Sequence, residues 1–411
     1  MKILLLHQYF LEEEDPGGSR WNEITKTWTE EGHEVTVIAG MVHYNGFTKR
    51  EEYKKKYFVK KKQGAITVHR THVSESYNSG FIGRLWGYFS FMFSSLWAGL
   101  FKVKGKFDVV VVTSPPLFVG GAGYLISRFK RIPMIFEVRD LWPESAIDMG
   151  ILSNKLIIKM AYWFESFMYK KATLISVLTP AFYNSLIKLK KVKKEKLAVV
   201  PNASNFALSD GLLHDFDREQ FRRDNDLDEY FVIIYVGAHG VANHLKQVLD
   251  AGKILEDTNV LFLLIGEGME KAKLKQKALQ MNVFNVRFLD SVSKKEVLKY
   301  IIASDMGASI LKKIDTFKTV YSNKTFDYFS CKKPVLMAID GVSRVLIEEA
   351  RAGEYVEPEN ADEYSRVIRS YMADPERLLR EGENGYQYAK INFDREIIAK
   401  KYLNIIRESI Q

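Results

Sequence analysis

Short runs of β-branched and aliphatic residues recur along the chain, and the gaps between most of them hold one helical pattern each. The first series is Ile3–Tyr9, Val35–Ala39, Thr67–His72, Val109–Thr113, Met134–Val138, Leu174–Leu178 and Leu197–Val200. The second is Val232–Val236, Leu261–Ile265, Val286–Leu289, Met306–Ile310, Val335–Ala338 and Tyr355–Val356. Strand and helix in alternation specify parallel βα units, so the pattern predicts an α/β fold of doubly wound sheets. A chain of 411 residues is too long for one ordinary core. Asn202 to Asp228 is polar, turn-rich and weakly periodic, so it divides the series. The expected organisation is a first Rossmann-like domain over 1–204, a linker over 205–229, a second over 230–393 and a helix over 394–411.

Composition narrows the class. A hydrophobic share of 46% and a charged share of 27% are those of a folded globular protein. The single cysteine, Cys331, excludes an internal disulfide and a Cys-rich metal site, and it suits a reducing compartment. Met1-Lys2-Ile3-Leu4-Leu5-Leu6-His7 reads as a first strand, since its apolar run is too short for a signal peptide. Asp224-Asn225-Asp226 mimics an Asp-x-Asp metal motif but lies in the linker, so it reads as a turn or cap. No metal or cofactor is expected.

The net charge of +9 is uneven: Met1 to Asn205 has 30 Lys and Arg against 18 Asp and Glu, a net +12, leaving −3 for the remainder. A basic half-molecule suits an anionic partner, either a membrane surface or nucleic acid. Glu51 to Lys62, with two lysine triplets, reads as an exposed helix or a flap. Phe81 to Val103 is aromatic-rich and uncharged between Arg84 and Lys102. It is too short and too rich in serine to span a bilayer, and it fits a helix lying in the head-group region or one buried on the sheet. In the first reading Arg84, Trp86, Phe89, Phe93, Trp97 and Lys102 meet anionic lipid. No RRM, helix-turn-helix or zinc signature supports a nucleic-acid partner.

Val320 to Gly341 carries the most pointed chemistry. A helix is expected over Asn323–Ser330, then a turn at Cys331-Lys332-Lys333-Pro334, then a buried strand. Lys324 and Asp327 share one helix face near its amino end. The helix start and Lys324 suit a diphosphate, and Asp327 suits the two hydroxyls of a ribose. A solvated ion pair is the plain alternative. Gly17 and Gly18, after the first strand, would let backbone approach a phosphate, as would Gly237 and Gly240 with His239 and Asn243. Gly266, Gly268 and Leu289 end two further strands. Arg139 and Asp140, in Glu137-Val138-Arg139-Asp140-Leu141-Trp142-Pro143-Glu144, follow a strand at the sheet edge where such folds bind ligands. Asp140 would orient an acceptor hydroxyl or pair with Arg139, and Glu31-Gly32-His33-Glu34-Val35 reads as structural.

This set, with Asp327 just before Cys331-Lys332-Lys333-Pro334-Val335, resembles the retaining GT-B-fold glycosyltransferases of family 4. The resemblance covers nearly the whole chain. It implies two Rossmann-like domains facing across a cleft, with the last helix crossing back to the first domain. Arg139 stands where many members have His, and Arg-Asp-Leu-Trp-Pro-Glu-Ser is typical of a fucosamine or aminosugar transferase branch. Ala238, Asn243-His244 and Thr319 replace an Arg, a Lys-Gly pair and a Glu common in the family. The implied activity is metal-independent transfer, with retention, from a nucleotide-diphosphate sugar, UDP-linked by preference, to a lipid-linked saccharide. The enzyme would sit on the cytoplasmic face of the membrane, with Lys324, Arg139 and Asp140 nearest the chemistry. The alternatives are a sugar-nucleotide epimerase and a non-catalytic membrane partner of an assembly complex.

Overall fold

The structure is a computed structural model that describes residues 1–12, 15, 20–42, 48–76 and 80–411, with the backbone alone at Phe81. Gly17 and Gly18 lie outside the described residues. The chain divides into two compact units, one of residues 1–14, 19–201 and 396–411, the other of 15–18 and 202–395.

The first unit is built on an eight-stranded sheet. Its strands are β1 (Lys2–Leu6), β2 (Glu34–Gly40), β3 (Phe58–Gln63), β4 (Ile66–Thr71), β5 (Val109–Ser114), β6 (Met134–Val138), β7 (Leu174–Val177) and β8 (Leu197–Val199). Their order is β3-β4-β2-β1-β5-β6-β7-β8, parallel except for the β3–β4 pair. Ile3 to Leu6 and Val109 to Val112 are fully buried, as expected of central strands covered on both faces. The helix Arg395–Ile410 belongs to this core, where Ala399 O accepts from Trp28 Nε1 at 2.9 Å and Tyr402 meets Ser176 at 2.7 Å.

The charged stretch after Glu51 is neither helix nor flap. It forms a short 3-10 turn (Glu51–Tyr53) and then β3, which pairs antiparallel with β4. Lysines on such an edge strand oppose pairing with another chain, and Lys61 also meets Glu12 at 2.6 Å.

The second unit carries a six-stranded, wholly parallel sheet in the order β11-β10-β9-β12-β13-β14. These are β9 (Phe231–Val236), β10 (Val260–Ile265), β11 (Val286–Leu289), β12 (Met306–Ile310), β13 (Val335–Ala338) and β14 (Gly353–Tyr355). The stretch 205–229 is no irregular tether. It holds the helices Phe206–Asp215 and Arg218–Asp224, capped by Asn205 and Asp217, and is anchored by buried Arg222 on the carbonyls of Ala303, Leu227 and Tyr230. Asn225 there accepts from the Tyr300 hydroxyl at 2.9 Å. In both sheets the strand order reverses beside the first strand of the series, between β1 and β5 and between β9 and β12. Ligands of open α/β sheets bind beyond the carboxyl ends of strands at such a reversal.

Candidate active site

In the second unit the turn after β9 packs backbone to backbone on the turn after β10. A Cβ added at Gly266 would lie 1.9 Å from the Gly237 carbonyl oxygen, and one at Gly268 would lie 2.4 Å from that of His239. Both positions, with φ of 151° and 159°, are glycine because backbone fills the space. Gly240 differs, since among the described residues a Cβ there would meet only Asn243 Oδ1, at 3.5 Å. No other described residue fills the space over Gly240, which leaves its backbone room for a ligand.

The helix Asn323–Ser330 starts beside this turn. Lys324 is half-buried, with Nζ 4.6 Å from the Tyr235 ring centroid and Cε 3.3 Å from the position of a Cβ on Gly237. Among the described residues its ammonium has no carboxylate partner within ion-pair distance. Burial pulls its pKa down to about 8, against the opposing pull of Asp327. The Ser322 side chain does not cap the helix, so the first turn keeps N–H groups for an acceptor. Asn323 is exposed and accepts from Asn202 at 2.5 Å. Lys332, in the turn after the helix, adopts φ 56°.

Asp327 is not a bare carboxylate. Lys294 Nζ lies 2.6 Å from its Oδ2 and Ser204 Oγ donates to Oδ1 at 3.0 Å. Each oxygen retains capacity for one further donor. The Leu289 carbonyl, at the strand end whose backbone the resemblance places at the nucleotide base, already accepts from Gly266 N–H (3.2 Å) and Lys271 Nζ (3.0 Å). His239 turns its ring inward, fully buried against Tyr235 and Phe288 at 6.1 and 6.0 Å between centroids. Burial, helped by Lys271 and Lys275, lowers its pKa to about 4, so it is neutral, and neither ring nitrogen has a hydrogen-bond partner among the described residues. Asn243 is half-buried beside Tyr235, which donates to Ala238 O at 2.8 Å.

In the first unit the β1–β5 reversal is marked by a hydrogen bond between His7 Nδ1 and Thr113 Oγ1, at 2.7 Å. Glu137, fully buried, is saturated: Oε1 accepts from Arg20 Nε and Nη2 (3.1 and 2.9 Å) and Oε2 from Trp21 Nε1 (2.8 Å). Arg139 stands just beyond β6, its N–H bonded to Ser114 O at 2.9 Å. Asp140 gives Oδ2 to the Ser145 hydroxyl at 2.7 Å, and burial raises its pKa. Of the two alternatives for Asp140, the pair with Arg139 does not form.

Residues 17–203 match the glycosyl transferase 4-like domain, and residues 217–388 match the glycosyl transferases group 1 family. The chain is a glycosyltransferase built from these two domains. It is 24% identical over 423 residues, 99% of this chain and 100% of the other, to a protein of Escherichia coli (strain K12) named "Putative colanic acid biosynthesis glycosyl transferase WcaI". Its fold is that of Anabaena Alr3699/HepE, solved in complex with UDP, at a TM-score of 0.72 and 16% identity over 99% of this chain and 100% of that one. WaaG, a glycosyltransferase involved in lipopolysaccharide biosynthesis, is matched at a TM-score of 0.70 and 16% identity over 99% of both chains. The two parallel-sheet Rossmann-like domains are therefore those of a GT-B glycosyltransferase.

The glycosyltransferase carries its aromatic stretch as the helix Gly80–Trp97, followed by a π-turn to Lys102. The helix buries Phe91, but it also buries serines and exposes aromatics. Ser90, Ser94 and Ser95 are buried, with Ser94 Oγ donating to His72 O at 2.6 Å, while Trp86, Phe93, Phe101 and Lys102 are exposed. Phe89 and Trp97 are instead half-buried, Phe89 against Phe118 (4.6 Å) and Trp97 against Tyr57 (5.4 Å), and Arg84 is half-buried too. The buried alternative describes one side of this helix, while the other side exposes aromatic residues. No helix among the described residues is long and apolar enough to cross a membrane. Sequence reasoning missed Tyr235, Lys294, Ser204 and Lys271, whose parts depend on where distant segments meet.

Proposed function

We propose that this glycosyltransferase moves a sugar, with retention, from a UDP-sugar to a lipid-linked saccharide at the cytoplasmic face of a membrane, in polysaccharide or glycoconjugate assembly. The observation that carries the reading is the placement of Lys324 and the uncapped helix start beside Gly237 and Tyr235, in the turn that also holds Gly240, at the second sheet's reversal. This is a diphosphate site in type and place. UDP in the Alr3699/HepE complex supports the choice of base. WcaI and WaaG, named for colanic acid and lipopolysaccharide biosynthesis, support the assembly role.

Negative charge develops on the leaving diphosphate as the glycosidic bond breaks, and groups fixed in advance at that point lower the barrier. Lys324 supplies the charge and the first-turn amides supply dipoles, with the Gly17-Gly18 loop as a further source. Asp327 would add two ribose hydroxyls to the partners it already has. Front-face attack by the acceptor hydroxyl is the retaining route that the resemblance implies, with Asp140 as the candidate to orient that hydroxyl. The site chemistry invokes no metal.

Membrane docking rests on the exposed aromatics of the helix Gly80–Trp97. The neighbouring helices Val119–Lys130 and Lys155–Lys171 also expose Leu125, Phe129, Leu156, Met160 and Trp163. Arg128, Lys130, Lys155, Lys159, Lys170 and Lys171 are interspersed with them. Apolar residues among cations suit an anionic leaflet.

The test is thermal stability with UDP, GDP, ADP, TDP and CDP, because a ligand of the native state raises the melting temperature. A shift specific to UDP is expected. No shift with any of them at millimolar concentration would overturn the reading in favour of a non-catalytic partner.

A further inference from the structure

Arg139 is the feature of the first domain that the proposed reaction leaves unexplained. Its side chain is half-buried and its Nε is fully buried without a hydrogen-bond partner. Among the described residues, the groups near it that could neutralise it are committed elsewhere. Glu137 is saturated by Arg20 and Trp21, and Arg20 further donates to Val200 O (3.0 Å) and Pro201 O (2.6 Å). The Arg20–Glu137 pair cancels itself and leaves the Arg139 charge over. His7 adds no charge, since burial, then Arg139, Arg70 and Arg20, hold its pKa well below the usual range. Asp140 is turned to Ser145. A guanidinium stays protonated in any protein setting, and holding one partly out of water without a partner is costly. Such a group is kept where a ligand completes it.

We propose that Arg139 is the centre of an anion subsite in the first domain that takes a carboxylate or phosphate carried by the acceptor saccharide. The inference rests on the transferase reading and deepens it. The planar fork of a guanidinium matches both oxyanions in bidentate geometry, which a lysine or a histidine does not. Its place beyond the carboxyl end of β6, beside the His7–Thr113 reversal, is where an open sheet receives a ligand. A neutral sugar at the accessible edge of the guanidinium would accept a hydrogen bond but leave the charge uncompensated. The acceptor is therefore a uronic-acid-type sugar or a sugar phosphate.

The experiment is calorimetric titration of the full chain, with UDP present, using methyl glucuronoside, glucose 1-phosphate and neutral methyl glucoside. Wild type is compared with Arg139→Gln and Arg139→Lys at fixed ionic strength. We expect wild type to bind one of the anionic sugars at least about tenfold more tightly than the neutral one, as a charge-assisted bidentate contact provides. Arg139→Gln should abolish the preference and Arg139→Lys should reduce it. The UDP-induced melting shift should be the same in all three proteins. Preference for the glucuronoside identifies a carboxylate, and preference for the phosphate identifies a phosphate ester. Equal binding of all three sugars by wild type, or a preference that survives Arg139→Gln, overturns the subsite. If Arg139→Gln does not fold, an undiminished preference in Arg139→Lys overturns it equally. A UDP shift without anion preference defeats this inference alone, whereas anion preference without a UDP shift defeats the transferase reading alone.

Discussion

Lys324 Nζ lies 4.6 Å from the centre of the Tyr235 ring, so a residue of the helix Asn323–Ser330 and one on β9, 89 positions earlier, form one cationic corner. The ring face stabilises the ammonium while leaving its donors free for an anion. Replacing Lys324 by Met should weaken UDP binding by roughly tenfold to a hundredfold, the range of a hydrogen bond to a charged group. Stability at pH 7 should not fall, because the half-buried charge is itself unfavourable to folding. Undiminished UDP affinity in a calorimetric titration would show that Lys324 does not touch the diphosphate.

The same lysine sets a pH dependence. Its pKa is about 8 in the folded protein against an ordinary 10.5. The folded state thus binds this proton less readily than the unfolded chain, and this term adds stability as pH rises from about 8 to 10.5. Ligand binding has the opposite sign, because the diphosphate needs the protonated form. UDP affinity should fall about tenfold between pH 7 and pH 9, and Lys324→Met should lose that slope.

Asp327 combines an ion pair with Lys294 and a candidate ribose contact. Asp327→Asn should cost about 1 kcal/mol of stability, as expected for a partly exposed pair, measured by urea denaturation. It should also erase a preference for UDP over 2′-deoxy-UDP. A variant that still discriminates against the deoxy ligand would assign the ribose to other residues.

The glycines of the second domain separate packing from ligand contact. Gly266→Ala forces a methyl to within 1.9 Å of the Gly237 carbonyl oxygen and should destabilise by at least about 3 kcal/mol or prevent folding. Among the described residues Gly240→Ala meets only the Asn243 side chain and should change stability by less than about 0.5 kcal/mol. Its effect should appear as weaker UDP binding. Equal stability losses in the two variants would remove the distinction.

Trp86 and Phe93 are 56% and 54% exposed on the helix Gly80–Trp97. Changing both to Ser should leave the melting temperature within about 2 °C, as for surface substitutions. Co-sedimentation with phosphatidylglycerol vesicles should fall several-fold. Unchanged sedimentation would place the membrane contact elsewhere.

The alternation of apolar runs with helical patterns determined two series of parallel βα units, because strands buried on both faces must be continuously apolar. The helix Asn323–Ser330 and strands Met134–Val138, Val286–Leu289, Met306–Ile310 and Val335–Ala338 were legible to the residue, since local propensity, turn and burial all agree there. The strand Phe58–Gln63 was not. Its lysines suit an exposed helix as well as an edge strand, and only pairing with Ile66–Thr71 separates the two. The site divides the same way. Residue type and position marked Lys324, Asp327 and Arg139 as candidates, and the family resemblance favoured them over a solvated ion pair or a structural role. Whether each is spent or available is settled by neighbours far away in sequence. Lys294 and Ser204 occupy part of Asp327, Lys271 donates to the Leu289 carbonyl, packing turns His239 inward, and Arg20 takes Glu137 from Arg139. Charge compensation and hydrogen-bond saturation are properties of the packed interior, so the tertiary structure alone decides them.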